Sequence, residues 1–140
     1  MYLVRGILVW IGVMAVETTL GIARTLWVAP RTGDLRARQL GIPVACAVTI
    51  AAARLTARWI AATSRRQHLA VGAAWAGLTV AFEVGLGLAL GYGWGRITED
   101  YDTARGGLMG LGVLVLLAAP LVAGGGRATR PAPRSSSGPA

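Results

Sequence analysis

Four long apolar runs divide the first 123 residues, and most of the charged positions fall between them. The runs extend from Leu3 to Val28, Leu40 to Ala62, Leu69 to Trp94 and Gly107 to Ala123. Each meets the roughly 17–25 apolar residues with which a helix crosses a bilayer. The runs are continuous rather than alternating, and too long for barrel strands. Backbone amides in hydrocarbon must be paired within their own segment, so helices are the reading that fits. The pattern predicts an all-α integral membrane domain over residues 3–123, four transmembrane helices arranged as two antiparallel hairpins. From Gly124 onward, GGGRATRPAPRSSSGPA offers no apolar face and reads as a disordered basic tail.

Three links separate the runs. The first, APRTGDLRARQ from Ala29 to Gln39, carries turn signals at Pro30 and Gly33-Asp34. The second, TSRRQH from Thr63 to His68, is short and basic. The third, GRITEDYDTARG from Gly95 to Gly106, is acidic. The first run has the outline of a signal peptide, with Arg5 before an apolar stretch. It resumes after Glu17 without a small-x-small cleavage site, so a retained helix is expected.

Composition agrees with the membrane class. The chain is 54% hydrophobic and 14% charged, with a mean hydropathy of +0.57, against about 25% charged in soluble domains. All fourteen basic residues are arginine, and the net charge is +8. In a membrane protein such arginines set topology, so no nucleic-acid partner is expected; the lipid bilayer is the partner. Eight arginines lie on the side of the termini (Arg5, Arg54, Arg58, Arg65, Arg66, Arg127, Arg130, Arg134) and six on the other (Arg24, Arg31, Arg36, Arg38, Arg96, Arg105). This bias places both termini in the cytoplasm. Cys46 is the lone cysteine and His68 the lone histidine, so neither a disulfide nor a Cys/His metal site is expected. His68 reads as a solvated loop residue.

Two runs carry the same acid in similar surroundings: AVETTLGIA from Ala15 and AFEVGLGLA from Ala81. Offset by 66 residues, they agree at five of nine positions, among them Glu17 with Glu83 and Gly21 with Gly87. Asp34 falls on Asp100 at the same offset. The match suggests a duplicated hairpin in parallel orientation. If the first link turns near Asp34, Glu17 is level with about Ala51; if the second turns near Arg66, Glu83 is level with about Thr49. Arg54 lies one turn away, and Arg58 follows on the same face. A charge at mid-bilayer costs roughly 2.5–3.5 kcal/mol on insertion scales, so these groups are expected to face inward and pair. The expected buried cluster is Glu17, Glu83 and Arg54, with Arg58 and Arg24 as further members. Its functional reading is a proton- or cation-binding site; its structural reading is an ion-pair network that orients the helices.

The first and third links emerge on one side with opposite charges. Arg31, Asp34, Arg36 and Arg38 face Glu99, Asp100, Asp102 and Arg105. They are expected to dock by salt bridges, each of small worth when exposed. Headgroup binding by the arginines and weak cation capture by the acids are the functional alternatives.

The stretches ETTLGIART, APRTGDLRARQ, FEVGLG and DYDTARGGL together resemble a family of small uncharacterised bacterial membrane proteins with four predicted helices. The resemblance covers the chain to about Ala123 and implies an inner-membrane location. It brings no established activity and no functional residues. Glu17 and Ala74-Trp75-Ala76-Gly77 are faintly similar to small multidrug resistance transporters. A second glutamate in the third run, two arginines in the second and long charged links depart from that pattern, leaving an analogy of fold.

No Ser/His/Asp set, metal-ligand spacing or phosphate loop is present, so neither enzymatic activity nor a cofactor is expected. The sequence favours a structural or accessory membrane component that works through self-association or a membrane-protein partner. The competing expectation is a small proton- or cation-coupled transporter that uses Glu17 and Glu83.

Overall fold

The computed structural model describes residues 1–125, which are all-helical with no strand. The expected tail lies outside the described residues from residue 126 onward. Helix α1 (Tyr2–Ala23) continues through a π-helical turn (Arg24–Val28) into α2 (Ala29–Thr32). Helix α3 spans Asp34–Ile60 and α4 spans Arg65–Ala89. A short α5 (Trp94–Glu99) and a 3₁₀ turn (Thr103–Arg105) lead into α6 (Met109–Gly125).

Three helical stretches are long and apolar enough to cross a membrane: Tyr2–Thr32, Asp34–Ile60 and Arg65–Ala89. The fourth run forms a helix of 17 residues, about 25 Å long against a hydrocarbon core of about 30 Å. It continues to Gly125, beyond the expected end at Ala123.

The first expected link is itself almost wholly helical. Pro30 follows closely on the π-helical turn, inside the continuous helical stretch Tyr2–Thr32. The chain reverses at Gly33, whose φ of 84° and ψ of 154° suit only glycine, and Asp34 already opens α3. The second link is shorter than expected. Ala61 ends α3 in the left-handed region, and the Ser64 hydroxyl accepts from the Gln67 N–H at 3.3 Å to start α4. The Gln67 side chain returns to the Thr63 N–H at 2.7 Å. His68 is therefore a half-buried residue of the first turn of α4, its Nδ1 2.9 Å from the Ser64 carbonyl.

The helices form a closed ring in the order α1, α3, α6, α4. Helices α3 and α4 therefore face each other across the diagonal, although a short link was expected to make them direct neighbours. Helix α6 lies between them because Gly72 lets it come close: a methyl group there would collide with the Leu117 carbonyl. The core at this end is Ala53 and Ile60 of α3, Val71 and Trp75 of α4, and Leu116 and Ala119 of α6.

Two tryptophans fix the seam between α1 and α4. Trp75 Nε1 donates to the Gly6 carbonyl at 2.8 Å, and Trp10 Nε1 donates to Thr79 Oγ1 at 2.9 Å. Both pairs are 69 residues apart, so the two helices run parallel in one register. Gly6 makes the seam tight, since a β-carbon there would meet Val71 at 2.9 Å.

Candidate functional site

The α1–α4 register leads to the repeated acids. Trp75, Thr79 and Glu83 follow one another at steps of four along α4, so they share one flank. Glu17 lies on the face of α1 that also carries Gly6, Trp10 and Val13, the face turned to the bundle.

Gly33 fixes the partner of Glu17. Glu17 is sixteen residues before that turn and Thr49 sixteen after it, so the antiparallel pair α1–α3 brings them level. Thr49 is buried, and its Oγ1 donates to Glu17 Oε1 at 2.9 Å. The sequence-based level was Ala51, two residues off, because the turn was placed at Asp34. The Glu83 carboxylate lies within electrostatic reach of Glu17.

Glu83 is exposed where a cleft of about 110 Å³ opens beside it. Gly87, Tyr92, Arg96, Ile97, Asp100, Tyr101 and Met109 contribute to its walls. The volume is enough for several waters, each needing about 10–15 Å³ by this measure. The Tyr101 hydroxyl is buried in this wall without a hydrogen-bond partner among the described residues. Burial pushes the Tyr101 phenol above its ordinary pKa, and the negative charges of Glu83 and Asp100 push it further the same way. Gly87 is needed for close approach of the Ile97 side chain, which would meet a β-carbon at 3.1 Å.

The five residues of the expected buried cluster separate. Arg24 stays with the acids: it begins the π-helical turn, crosses Gly41 of α3 and lies within electrostatic reach of Glu83. Arg54 and Arg58 do not; both are exposed. The core stripe of α3 is Thr49, Ala53 and Ile60, and Arg54, one residue past Ala53, is rotated by about 100° from it. None of the five makes an ion pair among the described residues, where no charged side chain is fully buried. An ion-paired core of these groups is therefore absent from the monomer.

The ion pairs lie instead at the end of the bundle where the chain reverses at Gly33. Arg38 bridges Asp34 at 3.1 Å and also pairs with Asp100. Arg96 bridges Asp34 at 3.1 Å and Asp100 at 3.3 Å. Four charges thus close a ring between the start of α3 and the segment after α4. Gln39 adds a hydrogen bond to the Gly106 carbonyl at 3.2 Å. The other link residues stand apart from the ring. Arg31 donates to the Trp27 carbonyl at 2.7 Å, Arg105 pairs with Asp102 at 3.4 Å, Arg36 is exposed and Glu99 half-buried.

Among the described residues no group of three or more His, Cys, Asp or Glu side chains is placed to hold a metal ion. Tyr101 is the site residue that sequence reasoning missed; its one signal was an aromatic ring between Asp100 and Asp102. The roles of Trp10 and Trp75 were also missed, since deep tryptophans are explained equally well by packing. Compared with protein-family models, with curated proteins and with solved structures, the chain matches none.

Proposed function

We propose that this chain is a four-span protein of the bacterial inner membrane, with both termini in the cytoplasm, that binds and releases a proton or small cation at Glu17 and Glu83 as a small ion-coupled carrier. One observation carries this reading. Glu17 accepts a threonine hydroxyl, Glu83 lines an open cleft, and neither makes an ion pair among the described residues. Two carboxylates in spanning segments need neutralising; Arg24 beside Glu83 is one cation for that task, and a mobile proton or cation supplies the other.

The ring of helices supports the duplicated-hairpin part of the reading. Exchanging α1 with α4 and α3 with α6 interchanges the α1–α3 and α4–α6 contacts and leaves the α3–α6 and α1–α4 contacts in place. The same exchange relates the helices that carry Glu17 and Glu83. The short α6 serves as the fourth span.

The second reading is a structural or accessory membrane component, acting through a second copy or another membrane protein. The four-charge ring and the paired tryptophan ties favour it, because they fasten the two hairpins at both ends without chemistry. Proteoliposomes with an internal pH dye separate the two. Glu17→Gln and Glu83→Gln variants that stay folded yet lose proton-coupled flux identify a carrier. Wild-type flux no greater than that of empty liposomes refutes the carrier, and loss of folded protein in both variants points to the scaffold.

A further inference from the structure

The opposite end of the bundle carries charge of one sign. Arg54, Arg58, Arg65 and Arg66 are exposed there. All six acids of the chain are placed elsewhere: Glu17 and Glu83 in the seam, Asp34, Glu99, Asp100 and Asp102 around the ring. None of these four arginines makes an ion pair among the described residues. Arg5 is committed within the protein: it donates to the Trp59 carbonyl at 2.9 Å and lies 5.9 Å from the centre of the Trp59 ring.

Arg54 and Arg58 differ from the rest in position. They sit one turn apart on the outward flank of α3, beside Leu55, which is 84% exposed. Arg54 is six residues before the end of α3, about 9 Å inside it along the axis. Above them an exposed apolar stripe runs through Leu40, Val44, Ala47 and Ala51. That is a track of hydrocarbon-facing side chains ending in two guanidiniums whose stems can lie along the helix while their heads reach the headgroup level.

We infer that Arg54 and Arg58 form a binding site for an anionic phospholipid, its headgroup phosphate held by the two guanidiniums and an acyl chain lying along the Leu40–Ala51 stripe. Two forked donors one turn apart suit a phosphate oxygen set better than a zwitterionic headgroup whose own ammonium competes. The carrier reading is not required: the site lies on a different helix flank from the acids.

Spin-labelled phosphatidylglycerol and phosphatidylcholine in proteoliposomes test this through the motionally restricted lipid fraction. Wild type retains phosphatidylglycerol preferentially, and Arg54→Gln with Arg58→Gln lowers that preference by about five-fold for each arginine at low salt. Arg65→Gln with Arg66→Gln has a smaller effect. Equal retention of both lipids by wild type, or an unchanged preference in the Arg54/Arg58 variant, overturns the site. Displacement of the lipid by millimolar inorganic phosphate overturns a lipid as its occupant. If the variant does not fold, a wild-type preference that persists unchanged in 1 M salt overturns the proposal, since the pairing is electrostatic and exposed.

Discussion

Asp100→Asn removes one acid from the ionic ring while keeping its shape, and the ring geometry sets how much this costs. Asp100 contacts both Arg38 and Arg96, so two of the four pairs are lost together. Exposed pairs contribute about 0.2–1 kcal/mol each, which gives a loss of about 0.4–2 kcal/mol. The upper half of that range is expected, because the Arg38 side chain is only 21% exposed and its Nε is already buried without a partner. Asp34→Asn also removes two pairs, but its side chain is 64% exposed, so water replaces more of what is lost and the cost is smaller. The assay is equilibrium unfolding in mild detergent with graded denaturant, followed by far-ultraviolet circular dichroism. The order wild type, Asp34→Asn, Asp100→Asn in falling stability is the prediction, with differences that shrink in 1 M salt, where the screening length is about 3 Å. Asp100→Asn indistinguishable from wild type would mean that the ring does not fasten the two hairpins. A loss above about 3 kcal/mol would mean that Asp100 acts as a buried charge rather than a partly wetted one.

Three further perturbations follow from local geometry. Gly33→Ala forces a side chain into φ 84°, ψ 154° and should cost about 1–3 kcal/mol in the same unfolding assay; an unchanged midpoint would place the chain reversal elsewhere. Gly72→Ala drives a methyl into the Leu117 carbonyl, so α4 and α6 must separate, with a loss of about 1–3 kcal/mol and faster proteolysis near α6; wild-type protease resistance would count against the close crossing. Tyr101 should ionise above the ordinary tyrosine value of about 10 in a phenolate absorbance titration, and Tyr101→Phe should remove that late step. Because its pKa is raised in the folded chain, the stabilisation is present below the unfolded value of about 10 and is lost as pH rises through the folded one. A titration whose high-pH limb is unchanged by Tyr101→Phe would contradict the buried position of its hydroxyl.

Depth along the α1–α3 hairpin was legible in the sequence; the level of Glu83 and the direction around the helices were not, because the second turn lies at Ala61–Ser64 and not near Arg66. Counting from the turns placed Glu17 within two residues of its true partner Thr49, because hairpin geometry converts residue number directly into height. Arg54 is correctly close in height to the acids, yet faces away from them. A rotation of about 100° per residue means that one position, Ala53 or Arg54, decides between core and surface. The choice went to Ala53 because Ala53 and Ile60 pack against α6, and α6 had no charge to announce which stripe it would choose. The first link misled for another reason. Pro30, Gly33 and Asp34 are genuine turn signals, but a helix leaving the bilayer also becomes polar, and only Gly33 needs a non-helical backbone. Asp34 and Asp100 could be aligned by their 66-residue offset. Their joint capture by Arg38 and Arg96 required the segment after α4 to fold back over the start of α3, which no local pattern specifies.

The acids and the ring are not independent, and this can be measured. Asp100 belongs to the ring and also lines the cleft that opens at Glu83. Tyr101, next to it in the chain, places an unpartnered hydroxyl in the same wall. Neutralising Glu83 removes a negative charge that faces Asp100, so Arg38 and Arg96 are left with less competing potential around their shared acid. Glu83→Gln should therefore change the cost of Asp100→Asn, whereas Arg58→Gln, on the outward flank of α3, should leave it unchanged. Residues that share a site typically show coupling of about 0.5–3 kcal/mol, while distant ones add to within about 0.3–0.5 kcal/mol. A double-mutant cycle on Glu83 and Asp100, with Arg58 and Asp100 as its control, reads this directly in the unfolding assay. Coupling in the first cycle and none in the second makes the ring a cover that responds to the charge beneath it. Additivity in both would separate the ring from the acids, leaving it as a fastening between hairpins.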